Sequence, residues 1–202
     1  SRIAEYLSLW QFLVVRAVFA SPLVGLLSYF GVGRLRPIRL WAVFVRSFLI
    51  AVAMLFYFSS LSLLSMTQGL AGLFTSPIFV LLITALLLRH RIGPIRIMAV
   101  GIGFAGIVLV LELDFANLTW LSILPIFGGL FYAAGSVATR QLCEGESTLS
   151  MLLMMLCIQF SIGTIVLCYL SLNPVVVLPG IDGYLSRGWV WPIDVAFGYI
   201  LL

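Results

Sequence analysis

Apolar residues in this chain neither alternate with a strand's period nor recur along a single helical stripe. They run in unbroken blocks separated by short polar gaps. A helix needs about 20 consecutive apolar residues to cross the hydrocarbon core of a bilayer, with a range of roughly 17–25. By that measure the blocks are Leu9–Phe30, Leu40–Leu61, Met66–Leu88, Ile95–Leu111, Thr119–Ala138, Ser150–Leu170 and a segment from Trp189 cut off at Leu202. No charge lies between Ser47 and Leu88, a stretch too long for one span. Ser62-Leu63-Leu64-Ser65-Met66-Thr67-Gln68 supplies the polar turn that divides it. The pattern predicts an all-α polytopic membrane protein, a helical bundle with about seven helices in this chain.

Composition excludes the soluble alternative. Hydrophobic residues make up 63% and charged residues 9%, with a mean hydropathy of +1.22. A soluble domain carries roughly 25% charged residues to clothe its surface. The net charge of +4 is not a nucleic-acid signature: all 11 basic residues are Arg, and most sit in gaps between apolar blocks. They report orientation instead. The gaps Gly31–Arg39, Arg89–Arg96 and Thr139–Leu149 hold seven Arg, whereas Ser1–Ser8, Ser62–Ser65, Glu112–Leu118 and Ser171–Gly188 hold two. The positive-inside rule places the first set in the cytoplasm. Trp10, Trp41, Trp120, Trp189 and Trp191 all fall at or just inside block ends, where an indole ring prefers the headgroup level.

Metal and redox chemistry find little support. Cys143, Cys157 and Cys168 lack a CxxC spacing, and His90 is the sole histidine. No cofactor and no metal site is expected.

An internal echo adds a symmetry. Thr139-Arg140-Gln141-Leu142-Cys143-Glu144, followed by a span ending Leu167-Cys168-Tyr169-Leu170, resembles Ser1-Arg2-Ile3-Ala4-Glu5 followed by a span ending Leu27-Ser28-Tyr29-Phe30. The two copies start on opposite sides of the membrane, which makes the repeat inverted, a common construction in secondary transporters. The span Thr119–Ala138 then needs a counterpart before Ser1, and the second half should continue past Leu202. Five spans per half, ten in all, is the expected whole.

Specific residues carry a family likeness. Phe56-Tyr57, Thr67-Gln68-Gly69-Leu70-Ala71-Gly72-Leu73-Phe74-Thr75-Ser76-Pro77-Ile78-Phe79, Ala85-Leu86-Leu87-Leu88-Arg89-His90-Arg91-Ile92-Gly93 and Gly103-Phe104-Ala105-Gly106-Ile107 resemble the EamA-type half of the drug/metabolite transporter (DMT) superfamily. Arg16 and Arg46 match places where that family often has Arg. The resemblance implies a ten-helix, inverted-repeat transporter in the inner membrane with both termini cytoplasmic. Residues 1–111 would be a first EamA-like repeat lacking its first helix, and residues 119–202 the start of a second, truncated in its third helix. His90 stands where the family has an acidic residue, so no role of that residue carries over.

Several residues are candidates for the transport pathway. Pro77 lies at the midpoint of Met66–Leu88, where it removes a backbone hydrogen bond. Thr75 and Ser76 can re-satisfy freed groups, and Gln68 lies at the start of the same block. This is either a broken-helix substrate site or a plain kink. Arg16 is about 10 Å inside its span at 1.5 Å per residue, facing a cavity or snorkelling to the outer headgroups. Tyr57, Tyr132, Ser136 and Gln159 are further polar groups in spans, serving either a pathway or a neighbouring helix. Gly101-Ile102-Gly103-Phe104-Ala105-Gly106 spells a dinucleotide fingerprint but sits inside an apolar span, so Gly101, Gly103 and Gly106 are expected to admit close helix packing.

The function these residues favour is a secondary transporter moving a small polar metabolite or amphiphile by alternating access. A channel or scaffold subunit is the alternative. A membrane-embedded enzyme fits less well, because no catalytic constellation shares one depth and no complete span contains Asp or Glu. The expected partners are the lipid bilayer and a small-molecule substrate, with a homodimer admissible and nucleic acid excluded.

Overall fold

The computed structural model describes residues 8–64, 66–86, 93–110, 121 and 123–172. They form seven helices: α1 (Leu9–Tyr29), α2 (Leu40–Leu63), α3 (Met66–Phe74), α4 (Ser76–Leu86), α5 (Pro94–Val110), α6 (Ile123–Leu142) and α7 (Thr148–Leu172). Five stretches among them are long and apolar enough to span a bilayer: Leu9–Tyr29, Leu40–Leu61, Gln68–Leu86, Ile123–Leu142 and Thr148–Leu172. The chain is an all-α polytopic membrane protein. The segment from Trp189, His90 and the Trp120 end of the fifth block lie outside the described residues.

The ends of α1 follow from local chemistry. Ser8 caps its start with extended backbone, its Oγ accepting the Gln11 N–H at 3.2 Å. At the other end Gly31 adopts φ +79°, donating its N–H to the Ser28 carbonyl while Val32 donates to Leu27. This is a Schellman closure, which favours glycine at the left-handed position. Other boundaries differ from the apolar blocks. The second block ends at Leu63 rather than Leu61, and α6 runs on to Leu142. That extension takes Arg140 from the expected loop into the last helical turn, where a cation meets the negative end of the helix dipole.

Within the block Met66–Leu88 the helix is interrupted at Thr75. α3 stops at Phe74, Thr75 is a turn residue, and α4 starts at Ser76.

By contacts the chain divides into two compact units, one containing α1 and α7 and the other α2 through α6. In the first, α1 and α7 run antiparallel. Ala17 and Val24 cluster with Leu149 and Leu156, and Gly163 lies against Trp10, Leu13 and Val14. In the second, α6 is the central element. Its buried face, Pro125, Gly128, Gly129, Ala133, Gly135 and Ala138, is built almost wholly of small residues, which lets neighbouring backbones approach closely.

Candidate functional site

The break between α3 and α4 is held from within and from outside. Within it, the Gly72 carbonyl accepts both the backbone N–H of Thr75, at 3.1 Å, and the Thr75 hydroxyl. The Thr75 carbonyl in turn accepts the N–H groups of Ile78 (3.1 Å) and Phe79 (3.3 Å), so Thr75 closes one helix and opens the next. Pro77 sits in the first turn of α4, where its missing N–H removes a group that no intrahelical carbonyl would have accepted. From outside, α6 presses backbone against the break. A Cβ added to Gly129 would meet the Gly72 carbonyl oxygen and, at 2.6 Å, Thr75 Oγ1; one added to Gly72 would meet the backbone of Pro125. Only glycine fits at either position.

Of the candidates read from the sequence, Tyr57, Gln68, Thr75, Ser76, Pro77 and Tyr132 fall in this unit. Tyr57 is half-buried on α2; a Cβ on Gly128 would stand 3.6 Å from its backbone nitrogen. Gln68 and Ser76 are half-buried, whereas Pro77 and Tyr132 are exposed. Ser136 is half-buried on α6. A feature missed from the sequence is an aromatic ladder between α2 and α6. Phe56 stacks on Phe131 (centroids 5.7 Å apart) and on Phe127 (6.1 Å), the two α6 rings lying one turn apart. The i, i+4 spacing of Phe127 and Phe131 is the signal that could have found it.

Gly101, Gly103 and Gly106 do not make the close approach expected of them among the described residues. All three are exposed, and an added Cβ would meet no described atom within 4 Å. Close approach belongs instead to Gly72, Gly129, Gly135 and Gly163.

Where α2 begins and α6 ends, two ties join distant parts of the same unit. Arg46 is half-buried on α2, its Nε donating to Thr139 Oγ1 at 3.1 Å, while that hydroxyl donates to the Gly135 carbonyl at 2.8 Å. The Glu146 carboxylate accepts the backbone N–H of Arg39, the N-cap residue of α2, whose side chain makes no cap hydrogen bond. Beside these, burial pushes the Cys143 thiol up from its ordinary pKa; Arg46 pulls it down and Glu146 adds to the rise.

Arg16 and Gln159 fall in the other unit. Arg16 is half-buried, and none of the seven helices contains an Asp or Glu to pair with it. Gln159 is 1% exposed, and its Nε2 has no hydrogen-bond partner. Such an orphaned donor costs about 1–3 kcal/mol, so it calls for a ligand or a role. The Thr164 hydroxyl is also buried and unpaired. Two open grooves, of about 570 and 510 Å³, run beside the α1–α7 contact; Val14, Val18 and Ser21 line them from α1, and Cys157, Thr164 and Cys168 from α7.

With this geometry in hand, the comparisons with known proteins are specific. The model of the EamA-like transporter family matches residues 1–112. The riboflavin transporter of Rhizobium johnstonii is 29% identical over 132 residues, 64% of this chain and 44% of that protein. The riboflavin transporter of Vibrio cholerae is 33% identical over 89 residues, 44% of this chain and 30% of its own. That of Brucella anthropi is 28% identical over 144 residues, 71% and 49% of the two chains. The chain thus spans less than half the length of each of these curated relatives. No solved structure matches the chain.

Proposed function

Because the chain belongs to the EamA-like transporter family, we propose that it acts as a secondary carrier rather than an enzyme, moving riboflavin or a similar flat, polar heterocycle across the inner membrane by alternating access. The observation that carries this reading is the break at Thr75. A helix interrupted within its apolar length is a recurrent construction at the substrate sites of carriers. The names of the three relatives supply the substrate. Within the second unit the proposed pathway residues are Tyr57, Gln68, Thr75, Ser76, Pro77 and Tyr132. The aromatic ladder of Phe56, Phe127 and Phe131 offers ring faces on which a planar substrate stacks. The chain is read as an EamA-like repeat lacking its first helix, residues 1–111, and the start of an inverted second repeat, residues 119–202, truncated in its third helix, working in the bilayer with a small-molecule substrate and without nucleic acid.

The test is uptake of riboflavin into proteoliposomes holding the full-length protein. Saturable, concentration-dependent flux that unlabelled riboflavin competes away is the expected result. Flux linear in concentration would replace the carrier with the channel reading. Saturable transport of other solutes, with riboflavin neither carried nor competing, would overturn the substrate alone.

A further inference from the structure

The two grooves described beside the α1–α7 contact open on one flank of that helix pair. Residues succeed one another by 100° around a helix axis. Counting round α1 from the contact residues Leu13, Ala17 and Val24, the groove residues Val14, Val18 and Ser21 lie to one side and Arg16 to the other. Counting round α7 from Leu149, Leu156 and Gly163, the groove residues Cys157, Thr164 and Cys168 lie to the same side as their α1 counterparts, and Gln159 lies to the other. Arg16 and Gln159 therefore share the flank away from the grooves. They share a depth as well. Gly163 faces Leu13 and Leu156 clusters with Ala17, so Gln159, between Gly163 and Leu156, stands level with Arg16, between Leu13 and Ala17.

The chemistry of the pair is one-sided. A guanidinium is donor only, and the amide of Gln159 has its N–H₂ buried and unpaired. No carboxylate occurs in the helices to satisfy either. The pair also holds one acceptor, the Gln159 carbonyl oxygen, but its donors outnumber it, so a ligand rich in acceptors suits the site. Resting on the flavin reading above, we propose that Arg16 and Gln159 form a subsite for the imide edge, O=C–NH–C=O, of the transported ring. Gln159 Nε2 donates to one ring carbonyl, and its own carbonyl oxygen takes the imide N–H. Arg16 donates to the other ring carbonyl. An amide and an imide match each other donor for acceptor, which a carboxylate, an acceptor only, does not do. Thr164, on the opposite flank, takes no part.

The experiment compares riboflavin with N3-methylriboflavin, whose imide N–H is blocked, as substrates of the full-length protein in proteoliposomes. The wild type is expected to show a KM at least about tenfold higher for the methylated flavin, the loss of one buried hydrogen bond. Gln159→Leu is expected to raise the riboflavin KM by a similar factor and to erase the preference. Arg16→Gln is expected to raise both KM values together. Equal KM values for the two flavins in the wild type would overturn the subsite and leave the carrier reading standing, and this arm needs no variant to fold. A preference undiminished in Gln159→Leu would do the same. Absence of saturable riboflavin uptake by the wild type would overturn the flavin reading and the subsite with it.

Discussion

The carbonyl of Gly72 and the backbone of Gly129 approach so closely that no side chain can stand between them. This contact brings α6 against the point where α3 gives way to α4, and it makes three predictions about the break.

Gly129→Ala places a methyl on the Gly72 carbonyl and on Thr75 Oγ1. Overpacking of this kind costs about 1–3 kcal/mol. Gly72→Ala should cost more, because its methyl meets the backbone of Pro125 rather than a movable side chain. Gly25→Ala is the control: it lies within α1 with nothing near its Cβ, and it should gain about 0.5–1 kcal/mol of helix propensity. Thermal unfolding in mild detergent would rank the three. Equal melting of Gly129→Ala and wild type would mean that α6 stands farther from the break than described.

Thr75→Val keeps the shape of the side chain and removes the hydroxyl that the Gly72 carbonyl accepts. The loss is about 1 kcal/mol in stability. Combined with Ser76→Ala, it should lower transport several-fold, more than a stability loss of this size accounts for, while membrane insertion stays intact. Unchanged KM and maximal rate in the double variant would assign the break a structural role only.

Much of this region was legible in the sequence, but not its arrangement. Pro77 marked the middle of Met66–Leu88 as weak. The break falls at Thr75 because Pro is comfortable in the first turn of a new helix and α6 presents glycine at that level. Gly101, Gly103 and Gly106 looked like the close-packing stripe, whereas among the described residues Gly72, Gly129 and Gly135 make the approach. A stripe of small residues permits contact without saying which neighbour arrives. The apolar block Leu9–Phe30 lay within a residue of the true ends of α1, because Ser8 and Gly31 close it by local capping chemistry. The start of α2 declared nothing, since its acceptor comes from 107 positions away.

That acceptor is Glu146, whose carboxylate takes the Arg39 N–H at the positive end of the α2 dipole. Glu146→Ala should cost about 0.5–2 kcal/mol, the range for losing a helix cap. Glu146→Gln keeps an acceptor and gives up the charge, so it should recover most of that loss, short by about 0.3–1 kcal/mol. Melting temperatures of the two variants in detergent would separate hydrogen bond from charge. A Gln variant as unstable as the Ala variant would assign the whole effect to electrostatics.

Cys143 lies between these two ties, buried at 5% exposure just past the end of α6. Burial raises its pKa, outweighing the pull of Arg46, and Glu146 reinforces the rise. Only the thiolate is an effective nucleophile, so inaccessibility and a depressed thiolate fraction act in the same direction. Cys143 should resist a water-soluble maleimide at neutral pH in the folded protein and react readily after denaturation in SDS. The linkage has a definite sign: a thiol whose folded pKa is raised contributes stability that is intact below its unfolded value of about 8.5. That contribution is lost as pH climbs through the folded value. In a background with Cys157 and Cys168 replaced by Ser, unfolding temperature should therefore be flat at neutral pH and fall at alkaline pH. The further replacement Cys143→Ser should remove that part of the alkaline fall. Rapid labelling of Cys143 in the folded state would show that the C-terminal end of α6 opens far more than the Arg46–Thr139 and Arg39–Glu146 ties allow.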